Sequence, residues 1–218
     1  MNEEQDRQAL ITFLTTEHFT LQGARASAVA ETNSRLQTYM TFVSMTVLTL
    51  ALAAQISRLG DVFFAFAFLL LPVAYVLGLA TVGRFRQLWL EWFRAGQAMN
   101  RIRRFFVDVA PEAKRYLTLP TTDEPMTTLN AWGIRAGGQL GGLVTVFAVV
   151  AMINSVVASV LAGLVAIRLT DRGALATAVG AAAFGLSFVL LMRSGRQDFF
   201  RNMAEAEVRF PPEGNASS

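Results

Sequence analysis

The sequence predicts an all-α, polytopic membrane protein: four transmembrane helices arranged as two helical hairpins, with long amphipathic helices on the cytoplasmic side. Three observations predict it. The 218-residue chain is 53% hydrophobic and only 16% charged, where a soluble domain carries about 25% charged residues. Four stretches contain no Asp, Glu, Lys or Arg and are long enough, at roughly 20 residues each, to cross a bilayer as helices. The basic residues gather on one side of those stretches, which orients the chain. The apolar runs are continuous rather than alternating, which excludes a closed β-barrel. Lipid offers an open backbone no hydrogen-bond partner, so the spans must be helices.

Residues 1–38 form the first element, a cytoplasmic N-terminal helix. No proline interrupts residues 3–38, and Leu10, Leu14, Leu21, Ala24 and Ala28 recur at helical spacing. Glu31 and Arg35 sit at i,i+4 in the favourable order. The narrow seam through Leu10, Leu14 and Leu21 suits a second helix, either of this chain or of a partner subunit. The start, MNEEQDRQAL, is acidic and polar and lacks the basic start and early apolar core of a secretory signal. The first span is therefore expected to act as its own insertion signal.

Residues 39–83 make the first transmembrane hairpin. Its spans run from Tyr39 to Ile56 and from Val62 to Val82, joined by the short link Ser57 to Asp61. Pro72 lies inside the second span and is expected to kink it.

Residues 84–137 are the cytoplasmic central helices and connection. The stretch GRFRQLWLEWFRAGQAMNRIRRFF, residues 83–106, is rich in both arginine and large aromatics. Wound as a helix, it places Phe85, Trp89, Trp92, Gly96 and Met99 on one side, with Phe106 nearby. Arg86, Arg94, Arg101 and Arg104 fall on the other side, and Arg103 breaks the apolar stripe. Arginines beside aromatics could grip nucleic acid. Stacking on bases would need exposed rings, however, and a single stripe favours burial. The basic set Arg84, Arg86, Arg94, Arg101 and Arg104 is instead expected to form a membrane-surface helix facing anionic headgroups, partly packed on the N-terminal helix. Pro111, Pro120 and Pro125 mark the connection that follows, together with Asp123 and Glu124. Pro125 suits the first turn of a new helix, which is expected to enter the third span through AWGIRAGGQLGG.

Residues 138–192 make the second hairpin, with spans from Leu143 to Ile167 and from Ala174 to Met192 joined by Arg168 to Gly173. Gly137, Gly138, Gly141 and Gly142 form two overlapping GxxxG pairs, a pattern that permits close helix approach. Gly180 and Gly185 offer the same in the fourth span. Asn154 is the most polar deep side chain. Hydrogen bonding to a neighbouring helix is its expected role, and lining a pore in an oligomer is the alternative. Residues 193–218 are a cytoplasmic tail.

Arg58, Arg168 and Arg172 lie on the side of the two short links, and the other sixteen basic residues lie opposite. Both termini and the central segment are therefore expected in the cytoplasm. The turns RLGD (58–61) and RLTD (168–171) are alike, as are GRFRQ (83–87) and GRQDF (195–199). Chance is the simpler account, since turns and helix exits favour these residues. A parallel duplication is the alternative.

Chemistry is sparse. With no cysteine and one histidine, His18, neither a transition-metal site nor a thiol nucleophile is expected. His18 is expected to be solvated or to pack between helices. No Walker motif, dinucleotide fingerprint or nucleophile elbow occurs. The spans carry no ionisable group of the kind an ion-coupled carrier uses.

The stretch LTTEHFTLQGARASAVAETNSR (14–35), followed directly by an apolar span, resembles a group of actinobacterial multi-pass integral membrane proteins of similar length and uncharacterised activity. The likeness covers mainly residues 14–56. It implies a bacterial plasma membrane and no activity.

The expected function is non-enzymatic: a membrane-anchored interaction, sensor or effector module acting through its cytoplasmic helices. Its partners would be the bilayer and either a cytoplasmic protein or further copies of itself. No cofactor, nucleic acid or small-molecule substrate is expected. The alternative is an oligomeric channel or membrane-permeabilising protein.

Overall fold

The computed structural model describes residues 3–133 and 146–212. All regular structure among them is helical: α1 (Glu3–Ser57), α2 (Asp61–Val109), a 3-10 turn (Pro111–Tyr116), α3 (Pro125–Ala131), α4 (Val146–Thr170) and α5 (Gly173–Ala204). Helices α1, α2, α4 and α5 are each long and apolar enough to cross a membrane. The N-terminal segment runs into the first span without a break, because neither proline nor a glycine cap interrupts residues 3–57. Likewise α2 continues through Pro72 and through the whole arginine-rich stretch.

One expectation is corrected. The helix that begins at Pro125 does not run on through Trp132 and Gly133 towards the third span. It closes after Ala131, and Gly133 adopts a left-handed φ of 77° with its N–H donated to Asn130 O at 3.0 Å. A glycine just past the last helical residue caps the helix there, since it enters this conformation without a Cβ penalty.

The described chain falls into two compact units. Residues 3–31, 87–133 and 200–212 form a charged unit, and residues 32–86 and 146–199 form an apolar unit. Helices α1, α2 and α5 contribute to both, and α4 belongs wholly to the apolar unit.

The apolar unit turns the usual protein interior inside out. Its core holds Ala67, Leu71 and Ala74 of α2 against Val157 of α4, with Phe42, Leu50, Leu161 and Leu164 around them. Small residues there let the backbones approach. Tyr39, Thr46, Asn154, Ser155 and Ser187 are buried with them. Large apolar side chains point outward instead: Ile56 is 83% exposed, and Leu69, Val76 and Leu186 are each 63% exposed. Only 11–33% of the most apolar stretch of each long helix is buried. In water such a surface would far exceed the few hundred Å² of contiguous apolar patch that a soluble protein tolerates. A lipid environment accounts for it, and the chain is a membrane protein on this ground.

The two links of this unit are minimal and strained. Arg58 and Leu59 have φ of 50° and 62°, and Asp171 has 53°. The left-handed region costs an L-residue roughly 1–2 kcal/mol. Arg168 Nη2 donates to Asp61 Oδ1 at 2.8 Å, tying one link to the other through exposed side chains.

Candidate functional site

Polar chemistry concentrates in the charged unit, around residues 92–104 of α2. Two arrangements lie there, and they differ in charge balance.

The first is centred on Asp123, which is completely buried. Its Oδ2 accepts from Arg101 Nε at 2.7 Å and from Arg209 N at 2.9 Å, and its Oδ1 accepts from Phe210 N at 2.8 Å. Its backbone takes part too: Gln97 Nε2 donates to Asp123 O at 2.7 Å, and Asp123 N donates to Phe210 O at 3.4 Å. Arg101 Nη2 reaches Glu207 O at 2.7 Å. One carboxylate thereby fastens the chain after α5 to the connection between Pro120 and Pro125. Burial alone would raise its pKa. The N–H donors of Arg209 and Phe210 and the Arg101 guanidinium outweigh burial and hold the carboxyl below the usual carboxylate range. A cleft of about 290 Å³ lies alongside, lined by Phe93, Arg94, Gln97, Arg101, Glu205 and Glu207 among others.

The second arrangement contains two buried arginines and no carboxylate. Arg25 of α1 is 7% exposed and Arg103 of α2 is 8% exposed. The Arg25 guanidinium lies 4.1 Å from the Trp92 ring centre and 3.6 Å from that of Trp132. The two indoles meet edge to face at 6.0 Å. Gly96 lies beneath them: a Cβ there would sit 3.9 Å from both Arg25 Cζ and Trp132 Nε1, in ordinary contact. Arg103 Nη1 donates to Asn100 Oδ1 at 2.6 Å, and Asn100 Nδ2 donates in turn to Thr122 O and to Thr128 Oγ1. Among the described residues, no carboxylate pairs with Arg25 or Arg103. Burial, and then the field of Arg103, lowers the Arg25 guanidinium to about 10. Burial also lowers Arg103. Both remain protonated at neutral pH.

His18 stands two turns before Arg25 on the same face of α1. Gln22 Nε2 donates to His18 Nε2 at 3.2 Å, which leaves the proton of the neutral ring on Nδ1. Burial and then Arg103 push its pKa down, so the ring stays neutral at pH 7. Its Nδ1 is buried without a partner, as are Arg25 Nε and Trp132 Nε1.

The structure separates the five arginines expected at a membrane surface. Arg94 is exposed and Arg84 is half-buried. Arg86 belongs to the apolar unit, where it donates to Asp198 at 2.9 Å and to Ser194 at 2.5 Å. Arg101 serves Asp123, and Arg104 pairs with Asp108 at 3.0 Å. Arg86, Arg101 and Arg104 thus each meet a carboxylate of their own chain.

Among the helix-packing residues, Asn154 is fully buried in the apolar unit and accepts from Tyr39 Oη at 3.3 Å. Gly78 makes room for it, since a Cβ there would collide with the Asn154 amide and lie 2.9 Å from Tyr39 Oη. Gly180 packs closely on α4, with a Cβ only 3.0 Å from Ser159 O, whereas Gly185 faces open space. Gly137, Gly138, Gly141 and Gly142 lie outside the described residues.

Sequence reasoning missed Asp123, Arg25 and Trp132 as site residues. Arg103, which breaks the apolar stripe of α2, was the visible signal of a buried cation. Asp123 carried no such signal, because its partners come from distant stretches.

No family model matches the chain, and no curated protein or solved structure is significantly similar to it.

Proposed function

We propose that this chain is a non-enzymatic integral membrane protein of a bacterial plasma membrane, acting as a membrane-anchored interaction or sensor module. Its four spans form two hairpins, and both termini and the charged unit lie in the cytoplasm. The observation that carries this reading is the division of labour between the units. The apolar unit has a lipid-compatible exterior and contributes no ionisable group to its core cluster. The charged unit is assembled from three separated stretches and fastened by Asp123. The excess of basic residues on its side of the spans supports the orientation.

Phe13 and Phe19 of α1 are 64% and 66% exposed on the charged unit, while Leu14 and Leu21 are partly buried. Exposed aromatics beside a packed seam offer a contact surface. The chain has no cysteine, so Phe13→Cys and Phe19→Cys give unique crosslinking positions. In living cells with a membrane-permeant reagent, both are expected to capture one cytoplasmic protein. Adducts between copies alone would replace the partner reading with self-assembly. Burial of Asn154 against Tyr39 within one chain favours the module over a pore lined by Asn154.

A further inference from the structure

We propose that Arg25, Arg103, Trp132 and His18 form a binding site for a phosphoryl dianion, either a soluble phosphate compound or a phosphomonoester headgroup. The argument starts from an imbalance. Two guanidiniums are more than nine-tenths buried, and no described carboxylate answers them. Removing an ion from water costs several kcal/mol even after relaxation. A desolvated cation–π contact returns about 2 kcal/mol. The Trp92 and Trp132 rings can offset much of the cost for Arg25, but no ring contact of that kind is recorded for Arg103, whose identified partner is the neutral Asn100. Asp123, the buried carboxylate of this unit, is committed to Arg101 and to the backbone of Arg209 and Phe210.

The unmet groups are all donors. Arg25 Nε, Trp132 Nε1 and His18 Nδ1 are each buried N–H groups without an acceptor. Trp132 Nε1 and Arg25 Cζ both lie within reach of one point above Gly96. Arg103 joins the same neighbourhood through Asn100, which donates to Thr128 Oγ1, and Thr128 Cγ2 would lie 3.6 Å from a Cβ at Gly96, the point that Arg25 Cζ also approaches. A set of donors carrying two positive charges and lacking an acceptor is complementary to an oxyanion. A carboxylate would leave one charge unmatched. A phosphate monoester carries close to two negative charges at neutral pH and three acceptor oxygens, and guanidinium forks match its geometry.

The inference names a ligand for the charged unit, and it stands or falls separately from the partner reading, because it is measured on purified protein. Trp92 and Trp132 report on the site. The full chain in detergent is titrated with inorganic phosphate at constant ionic strength while tryptophan emission is followed. A saturable change is expected. Arg103→Gln should weaken it on the order of 10- to 100-fold, the loss of a charged hydrogen bond. Trp132→Phe keeps an aromatic face beside Arg25 but removes the N–H together with the five-membered ring, and should weaken it several-fold. Arg115→Gln, at an exposed pair with Glu112, should leave it unchanged. If inorganic phosphate is silent, the protein is reconstituted in phosphatidylcholine vesicles with and without phosphatidic acid. A response to phosphatidic acid that Arg103→Gln abolishes assigns the dianion to a lipid. No response in either arm, or equal responses in wild type, Arg103→Gln and Trp132→Phe, overturns the site and leaves a structural cation–aromatic cluster.

Discussion

The two units bury polar groups under opposite rules. In the apolar unit the buried polar side chains are neutral and short-range: Tyr39 meets Asn154, and the hydroxyls of Ser155 and Ser187 lie 3.2 Å apart. In the charged unit ions are buried as well: Asp123, Arg25 and Arg103 lie among the neutral Gln97, Asn100 and Thr128. The difference follows from what surrounds each unit. A helix in lipid cannot send an ion to the surface, so its interior polarity is limited to groups that neighbouring helices can satisfy. A unit that is not confined to lipid can bury a charge against a partner, as Asp123 is against Arg101. The proposed function makes the apolar unit the anchor and gives specificity to the charged unit.

The largest expected effect breaks the fastener. Asp123→Ala strands Arg101 and two backbone N–H groups. Removing one partner of such a buried pair costs about 3–5 kcal/mol, read as a lower denaturation midpoint and as protease sensitivity of residues 205–212. Asp123→Asn keeps one acceptor and should lose less. The folded-state carboxyl titrates below its ordinary value. Its contribution is therefore complete above about pH 4 and declines as pH falls through the folded value. The melting difference between wild type and Asp123→Asn should narrow below that pH and hold steady from pH 5 to 8.

The next effect tests the apolar unit. Gly78→Ala pushes a methyl into the Asn154 amide and the Tyr39 hydroxyl. Overpacking of this kind costs about 1–3 kcal/mol, measured as lower thermal stability in detergent. Gly180→Ala should cost less, because Ser159 O lies 3.0 Å away, and Gly185→Ala should be neutral or slightly stabilising. An equal loss at Gly78 and Gly185 would dissolve the distinction between packed and open glycines. The smallest effect is at the links. Arg168→Ala removes an exposed pair with Asp61, and such pairs contribute about 0–1 kcal/mol, so the melting temperature should barely move.

The parts of this fold that were legible in the sequence are those set by local composition. Uninterrupted apolar runs specified four long helices, and the absence of proline or a cap between residues 3 and 57 specified one continuous α1. The stop at Gly133 was not read: the sequence suggested a helix running on through AWGIRAGGQLGG, longer than Pro125–Ala131. What could not be read was long-range. Asp123 looks like a loop acid between two prolines, and only the return of residues 207–210 makes it a hub. Arg25 looks like one of many helix cations, and its enclosure by Trp92 and Trp132 joins three separate stretches. Arg103 alone announced itself, by interrupting an apolar face that burial would otherwise favour.

The central claim is an anchor in lipid with the charged unit confined to the cytoplasm. It is tested most directly by labelling single cysteines, placed in the cysteine-free chain at Phe13, Leu59, Tyr116 and Leu169, with a membrane-impermeant maleimide. All four positions are exposed. The account predicts labelling of Leu59→Cys and Leu169→Cys from outside intact cells, and of Phe13→Cys and Tyr116→Cys only after permeabilisation. Labelling of Phe13→Cys or Tyr116→Cys in intact cells, or release of the protein from membranes by alkaline carbonate, would contradict it.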